Sequence, residues 1–551
     1  MTTDASPASN STVEPVSQGV ELDAIIVGAG FSGVYILHKL RDELKLHVKI
    51  FESGAGLGGT WYWNRYPGAR VDSPVPVYEL SVKKVWESWN WSEKYPGWKE
   101  LQAYFDHVDR VLNIKKDVYF NTRVDGAQFD LARGRWTVRT ENGKTVTAKY
   151  LIVSVGFSAK RYIPDWKGLD TFKGVIHHSS FWPEQGVDVR GKKVAVIGTG
   201  ATGVQIIQEW GKEAGEVTVF QRNPNFCLPM RQTQLSASDQ DKSTYDDYYA
   251  YRLSTFGGLP WEFVPQKTFD VSEEERVAFY EKCFQEGGFQ FWLGSYQDLL
   301  FDPKANRVAY DYWAKKTRAR VEDPIKRDLL APLEPPYHFG TKRASLEQDY
   351  YEQFNRPNVH VVSVKDNPIV EITPNAIVTA DGRSYEVDVI AIATGFDAIT
   401  GGIKNMGLKD IHGVDLAKKW DKGTYTYLGA TTAGFPNMFF TYGPQAPTAF
   451  SNGPTCAEVQ GDFIAGAIQK MQRDGIKYID PQAEAERAWH DEVQQLANQT
   501  LVPQTKSWYM GSNIPGKPVE SLNYLGGIPV YQKKLKDALD KDFDGFVTAA
   551  A

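Results

Sequence analysis

At 551 residues the chain is too long for one ordinary domain, and two or three are expected. Hydrophobic residues make up 42% and aromatics 13%, enough for sizeable cores, while a formal net charge of −6 gives no electrostatic reason to expect nucleic acid or an anionic membrane as partner. Cys227, Cys283 and Cys456 lie far apart, and so sparse a count predicts reduced thiols in an intracellular, cytoplasmic protein.

Residues 1–20 are rich in Ser, Thr, Pro and Asn without an apolar centre, which predicts a disordered tail rather than a signal peptide. A strand-like run, LDAIIV (residues 22–27), then enters GAGFSG and a helix in which Val34, Leu37, Leu40 and Leu44 recur at helical spacing. A second strand, HVKIFE, ends on Glu52. This is the βαβ unit of a dinucleotide site. Gly28 makes the tight turn, Gly30 admits a pyrophosphate, Gly33 allows helix–strand contact, and Glu52 accepts ribose hydroxyls.

The construction returns about 170 residues later, as KKVAVIG runs into GTGATG (Gly198, Gly200, Gly203), a helix and the strand VTVFQR. Here Gln221-Arg222 stands where the first unit has an acid. A carboxylate would repel a 2′-phosphate and a guanidinium can bind one, so the second site favours NADP(H). Two such sites in one chain predict hydride transfer from NADPH to a flavin, with FAD in the first. The fold class expected is α/β, two Rossmann-like domains with a helical insertion. The strand DVIAIATGF (388–396) is expected to return the chain to the flavin domain. The FAD domain would then span 21–160 and 388–551, and the NADP domain 161–229 and 333–387. Residues 230–332, with patterns such as SEEERVAFYEKCF, read as the helical insertion. Residues 423–457 carry no charge but are broken by Pro436, Pro444, Pro447 and Pro454, so they predict a buried loop system lining a cavity, not a membrane helix.

No close cysteine pair supports a disulfide reductase, no His, Cys or carboxylate spacing supports a metal, and no GxSxG elbow supports a hydrolase. Flavin reacting with oxygen and simple hydride transfer remain. The segment FKGVIHHSSFWP then becomes informative, because Phe172, Gly174, His178, Trp182 and Pro183 fill the pattern FxGxxxHxxxW followed by Pro. With GGTWYWNRYPGARVD (Gly58, Gly59, Trp61, Tyr66, Pro67, Gly68, Asp72), GTKRAS and SWYMGSNIPGKP, it resembles the type I (class B flavoprotein) Baeyer–Villiger monooxygenases from residue 22 onward.

The resemblance implies an NADPH- and oxygen-dependent conversion of ketones to esters or lactones through a C4a-peroxyflavin, with sulfoxidation as a side activity. Such an intermediate needs a dry, positively polarised site. An arginine, always charged, suits it, and the family makes Arg343 catalytic with Asp72 as its carboxylate partner. It also implies Glu52, Thr60, Trp61, Asp72 and Tyr78 at FAD, and Thr202, Gln205, Arg222, Lys342 and Trp508 with the second glycines at NADP. Lys342 and Arg343 are neighbours in an extended segment, so one can face phosphate and the other the flavin. Thr448, Ala449 and Phe450 fall at the substrate pocket, where the bulk of Phe450 narrows it, and Asn223 stands where the family often has Thr. Phe172, Gly174, His178 and Trp182 are read as a hinge coupling the domains, with His178 a hydrogen-bonded element rather than an acid–base group and His177 incidental. No metal is expected, and a monomer is. The competing readings are an N- or S-hydroxylating flavin monooxygenase and an uncoupled NADPH oxidase or redox sensor.

Overall fold

A computed structural model describes residues 20–550. The tail expected over 1–20 lies, but for Val20, outside them. The first sheet is built from β1 (Glu21–Val27), β2 (Val48–Phe51), β3 (Val118–Tyr119), β4 (Val124–Asp130), β5 (Arg135–Thr140) and β6 (Thr145–Val153). Strand β1 pairs in parallel with β2 and β6, whereas β4, β5 and β6 form an antiparallel meander. The AIIV run is apolar at every position because both faces are covered. Ile26 joins a core with Val34 and Ile50, and Ile25 and Val27 join the opposite one with Trp136 and Phe440. Helix Phe31–Leu37 widens into a π turn, His38–Glu43.

The second sheet adds β7 (Val175–His178), β8 (Lys193–Ile197) and β9 (Glu216–Gln221). Its order is Val359–Ser363, β9, β8, Val389–Ile392, β7, and every pairing is parallel. This corrects two expectations. The strand at 388–396 does not rejoin the flavin domain; Val389–Ile392 lies between β8 and β7 in the second sheet. A continuous apolar strand fits the centre of either parallel sheet, so its pattern carries no address. The chain rejoins the first sheet later, where Leu408–Lys409 pairs with β4 and Met438–Phe440 takes the end of β6 that β5 leaves free.

Nor is the signature segment itself the connection between the folds, because its centre is the edge strand β7. Gly174 is needed there, as a Cβ would lie 2.2 Å from the Asp388 carbonyl oxygen. The crossing is a two-stranded ribbon. Tyr162 N–H donates to Gly395 O at 2.9 Å, Asp397 N–H to Lys160 O at 2.9 Å, and Ile399 N–H to Phe157 O at 2.7 Å.

Residues 230–332 carry helices Tyr245–Ser254, Glu273–Glu286, Gln290–Leu293, Pro303–Arg318 and Pro324–Leu330. Local chemistry starts three of them. Ser272 and Glu275 form a capping box, and Asp302 and Asp323 cap helices that open on proline. Buried polar groups bind this unit to the first domain. Glu79, fully buried, accepts from Trp91 Nε1 (2.6 Å) and Tyr249 Oη (2.5 Å). Arg252 donates to Val77 O and pairs with Glu458, which also takes the Ser81 N–H. Burial lifts the Glu79 pKa to about 7. None of the described helices is long and apolar enough to cross a membrane. Replacing Tyr249 by Phe leaves one Glu79 oxygen without its donor and should lower stability by about 1–3 kcal/mol. Chemical denaturation checks this, and an unchanged midpoint would show that the pair contributes nothing.

Candidate active site

Two glycine-rich turns open the site. Gly28 holds φ +107°, and a Cβ there would lie 2.5 Å from Ser154 O; at Gly33 it would lie 1.9 Å from Gly28 O. Gly198 and Gly203 repeat both contacts. By contrast, a Cβ on Gly200 would meet nothing within 4 Å, and one on Gly30 only the backbone of Gly59. Open backbone ahead of a helix is what a pyrophosphate requires, so the residues present fit two dinucleotides. Glu52 is buried at the end of β2, its carboxylate taking Ala29 N–H at 2.8 Å and Gly54 N–H at 2.6 Å. Burial raises its pKa while those donors pull it down. Its remaining lone pairs can accept ribose hydroxyls.

The second motif is packed onto the first turn. Gly58 N–H donates to Ala29 O at 3.0 Å, and helix Thr60–Trp63 starts beside Gly30. Thr60 is exposed, whereas Trp61 is buried and donates from Nε1 to Tyr78 Oη at 3.0 Å. Tyr78 packs edge-on against Phe31.

From the same loop, Asp72 meets Arg343 in a two-pronged pair, Nε to Oδ2 at 2.6 Å and Nη2 to Oδ1 at 2.8 Å. The remaining Nη1 donates to Ala449 O at 2.9 Å, and the Phe289 ring lies 5.0 Å from the guanidinium. Burial works against the charge on Arg343, but Asp72 more than offsets it and the pKa is raised. A flavin-side loop, the segment after the insertion, the uncharged loop and the insertion itself thus meet at one cation. Phe289 escaped the sequence reading; its Gly287-Gly288 preface was the one available signal.

Lys342 takes the other direction. Its Nζ stands 3.5 Å above the Tyr337 ring, and burial and then Arg222 push its pKa down to about 7. Arg222 is exposed at the end of β9. Two cations without a carboxylate between them fit a phosphate dianion. The Asn223 backbone carbonyl accepts from Thr199 Oγ1. Thr202 and Gln205 face the flavin fold: Tyr66 Oη donates to Gln205 Oε1 at 2.9 Å, and Thr202 Oγ1 lies 3.4 Å from Tyr66 Oη. Gln205 also donates to Arg70 O. These two residues therefore join the domains. Trp508 stacks on Phe157 at 5.6 Å, with no acceptor for its indole N–H among the described residues.

His178 is 3% exposed. Its Nε2 is 3.0 Å from Gly395 O, which can only accept, so Nε2 carries the proton and Nδ1 accepts from Ser180 N–H. Burial lowers its pKa to about 4. A neutral ring with both nitrogens hydrogen-bonded props the ribbon. Phe172 packs into the core under the second sheet, and Trp182 is buried against Trp210 and His177. In the uncharged loop, Thr448 donates to Gly443 O and Ala449 N–H to Asn523. Phe450 is buried against Trp292, Tyr509 and Phe256.

A family model described as pyridine nucleotide-disulphide oxidoreductase matches residues 22–244. Cyclopentanone 1,2-monooxygenase of a Comamonas species is 43% identical, covering 96% of this chain and 96% of that protein. A Baeyer–Villiger monooxygenase of Pseudooceanicola batsensis is 36% identical with 96% of each covered. The crystal structure of OTEMO in complex with FAD and NADP superimposes with a TM-score of 0.92 at 37% identity, covering 97% of this chain and all of that one. With these likenesses running over almost its whole length, and with both dinucleotide folds and the paired arginine in place, the chain belongs to the type I Baeyer–Villiger monooxygenase family of flavoproteins.

Proposed function

We propose that this protein, with FAD in the first fold and NADPH in the second, uses oxygen to convert a ketone into an ester or lactone, and does so as a cytoplasmic monomer. The Arg343–Asp72 pair carries the reading: a permanent cation, aimed by a carboxylate and a carbonyl, where the flavin-side loop meets the uncharged loop. A bound, reduced flavin would supply the electrons that activate oxygen.

Arg343 stabilises negative charge as it builds on the oxygen of the reacting carbonyl, and Asp72 keeps the guanidinium plane fixed meanwhile. Phe289, Phe450, Trp292 and Tyr509 line this region with rings that exclude water. Glu52, Thr60, Trp61 and Tyr78 hold the flavin nucleotide. Arg222 and Lys342 hold the 2′-phosphate of NADPH, and the free Trp508 indole N–H is a donor for the same cofactor. In domain terms, the NADP unit spans 161–229 and 333–396, one strand longer than the sequence pattern indicates, with the flavin unit on either side.

In Arg343→Ala, NADPH should still bleach the flavin without oxygen, while ester formation from a panel of linear and cyclic ketones falls roughly 10²–10³-fold. Gas chromatography of products reads this. Full-rate product would remove Arg343 from the chemistry and favour oxidation of nitrogen or sulfur instead. A second expectation concerns pH. Lys342 is charged below about 7 in the free protein; above that it is neutral, so binding a phosphate dianion must take up a proton. The Kd for NADP⁺ should therefore be flat just below pH 7 and weaken by up to about tenfold per unit above it. Isothermal titration at several pH values checks the slope, which Lys342→Ala should abolish and NAD⁺ should not show.

A further inference from the structure

We propose that Phe181 is a positioning residue for hydride delivery: its ring clasps Trp63 across the domain boundary and so sets the NADP sheet over the flavin fold. This rests on the reading that NADPH in the second fold reduces a flavin in the first. Phe181 ends the short 3-10 turn Ser179–Phe181 directly after β7, so it travels with the second sheet. Trp63 ends helix Thr60–Trp63, which is seated on the first glycine turn and travels with the flavin fold. Their ring centroids are 5.4 Å apart. Arg161, on the outgoing strand of the ribbon that joins the folds, places its guanidinium carbon 4.1 Å from the Phe181 centroid. One side chain therefore touches both bodies and their joint.

The surroundings divide the boundary into a pivot and a clasp. The pivot is buried: Gln205 takes the Tyr66 hydroxyl, and a Cβ on Gly68 would lie 2.7 Å from Gln205 O. The clasp faces solvent. Phe181 is 50% exposed, so it belongs to neither core, and beside it Arg65 meets Glu184 at 3.1 Å across the same boundary. Behind Phe181, His178 ties the turn to Gly395 of the returning ribbon strand. A rotation of the second fold away from the first parts Phe181 from Trp63. Such a contact suits the control of angle rather than of folding.

The test is anaerobic stopped-flow reduction of the FAD-loaded protein by NADPH in Phe181→Ala, Trp63→Ala, the double variant and Phe181→Tyr. Losing the clasp should slow the limiting reduction rate about tenfold or more, since small misplacements of reacting groups are costly. FAD content and the Kd for NADP⁺ should stay unchanged, Phe181→Tyr should recover the rate, and the double variant should be no slower than the slower single. An undiminished limiting rate in Phe181→Ala, a Tyr variant as slow as Ala, or additive losses in the double variant would overturn the proposal. Neither ketone nor oxygen is present, so ester formation has no bearing on this outcome. If NADPH leaves the unsubstituted flavoprotein unreduced, the underlying reading fails instead.

Discussion

A guanidinium that must stay charged in a largely desolvated place needs a carboxylate, and that requirement organises this molecule. Arg343 leaves the insertion side of the second domain, Asp72 leaves the loop that packs beside the first glycine turn, and the two form a fork at 2.6 and 2.8 Å. Taking such a pair out of water is expensive unless its geometry is good and the spare donor is satisfied. Ala449 O answers the spare donor, which draws the uncharged loop to the same point. The absence of charge from residues 423–457 then has a physical meaning, since any further carboxylate there would compete with Asp72 for Arg343.

Around that centre the same βαβ construction is used twice with opposite electrostatic endings. Where the first ends in Glu52, gripped by two backbone N–H groups, the second ends in Arg222 and borrows Lys342 from the far side of the insertion. Glycine packing is nearly superimposable in the two, because a helix seated hard against a strand allows no Cβ at Gly33 or Gly203. The two folds thus differ electrostatically in a few side chains at strand ends, while their glycine architecture is shared.

The insertion is joined to the flavin unit through charged groups that cannot be left alone once buried. Glu79, Arg252 and Glu458 find the partners they have only when helix Tyr245–Ser254 sits against residues 77–81 and helix Gly453–Arg473. This fixes the wall that bears Phe289 and Trp292 relative to Arg343. The boundary between the two nucleotide folds is built differently, from a ribbon, the contacts of Gln205 with Tyr66 and Arg70, and the Phe181–Trp63 ring pair, and such a construction leaves freedom for reorientation.

Much of this was legible in the chain because it is local. Glycine spacing, the acid or arginine at a strand end, the Ser272 capping box and the Asp-Pro helix starts depend on neighbours a few residues away. The motifs around Asp72, His178 and Arg343 were legible as a family pattern, and with them the Arg343–Asp72 pairing, though not the contacts of Arg343 with Ala449 O and Phe289 or of His178 with Gly395 O. Three things awaited the tertiary structure. Residues 389–392 are apolar throughout, and either sheet could have taken them. Thr202 and Gln205 face a partner domain, and a strand-to-helix motif looks the same whether its helix meets phosphate or protein. Phe289 reaches Arg343, and Phe181 reaches Trp63, only after chain closures of 54 and 118 residues. Period and propensity report what a residue does to its own helix or strand; which two distant side chains meet is decided by how the elements pack, and no local pattern carries that information.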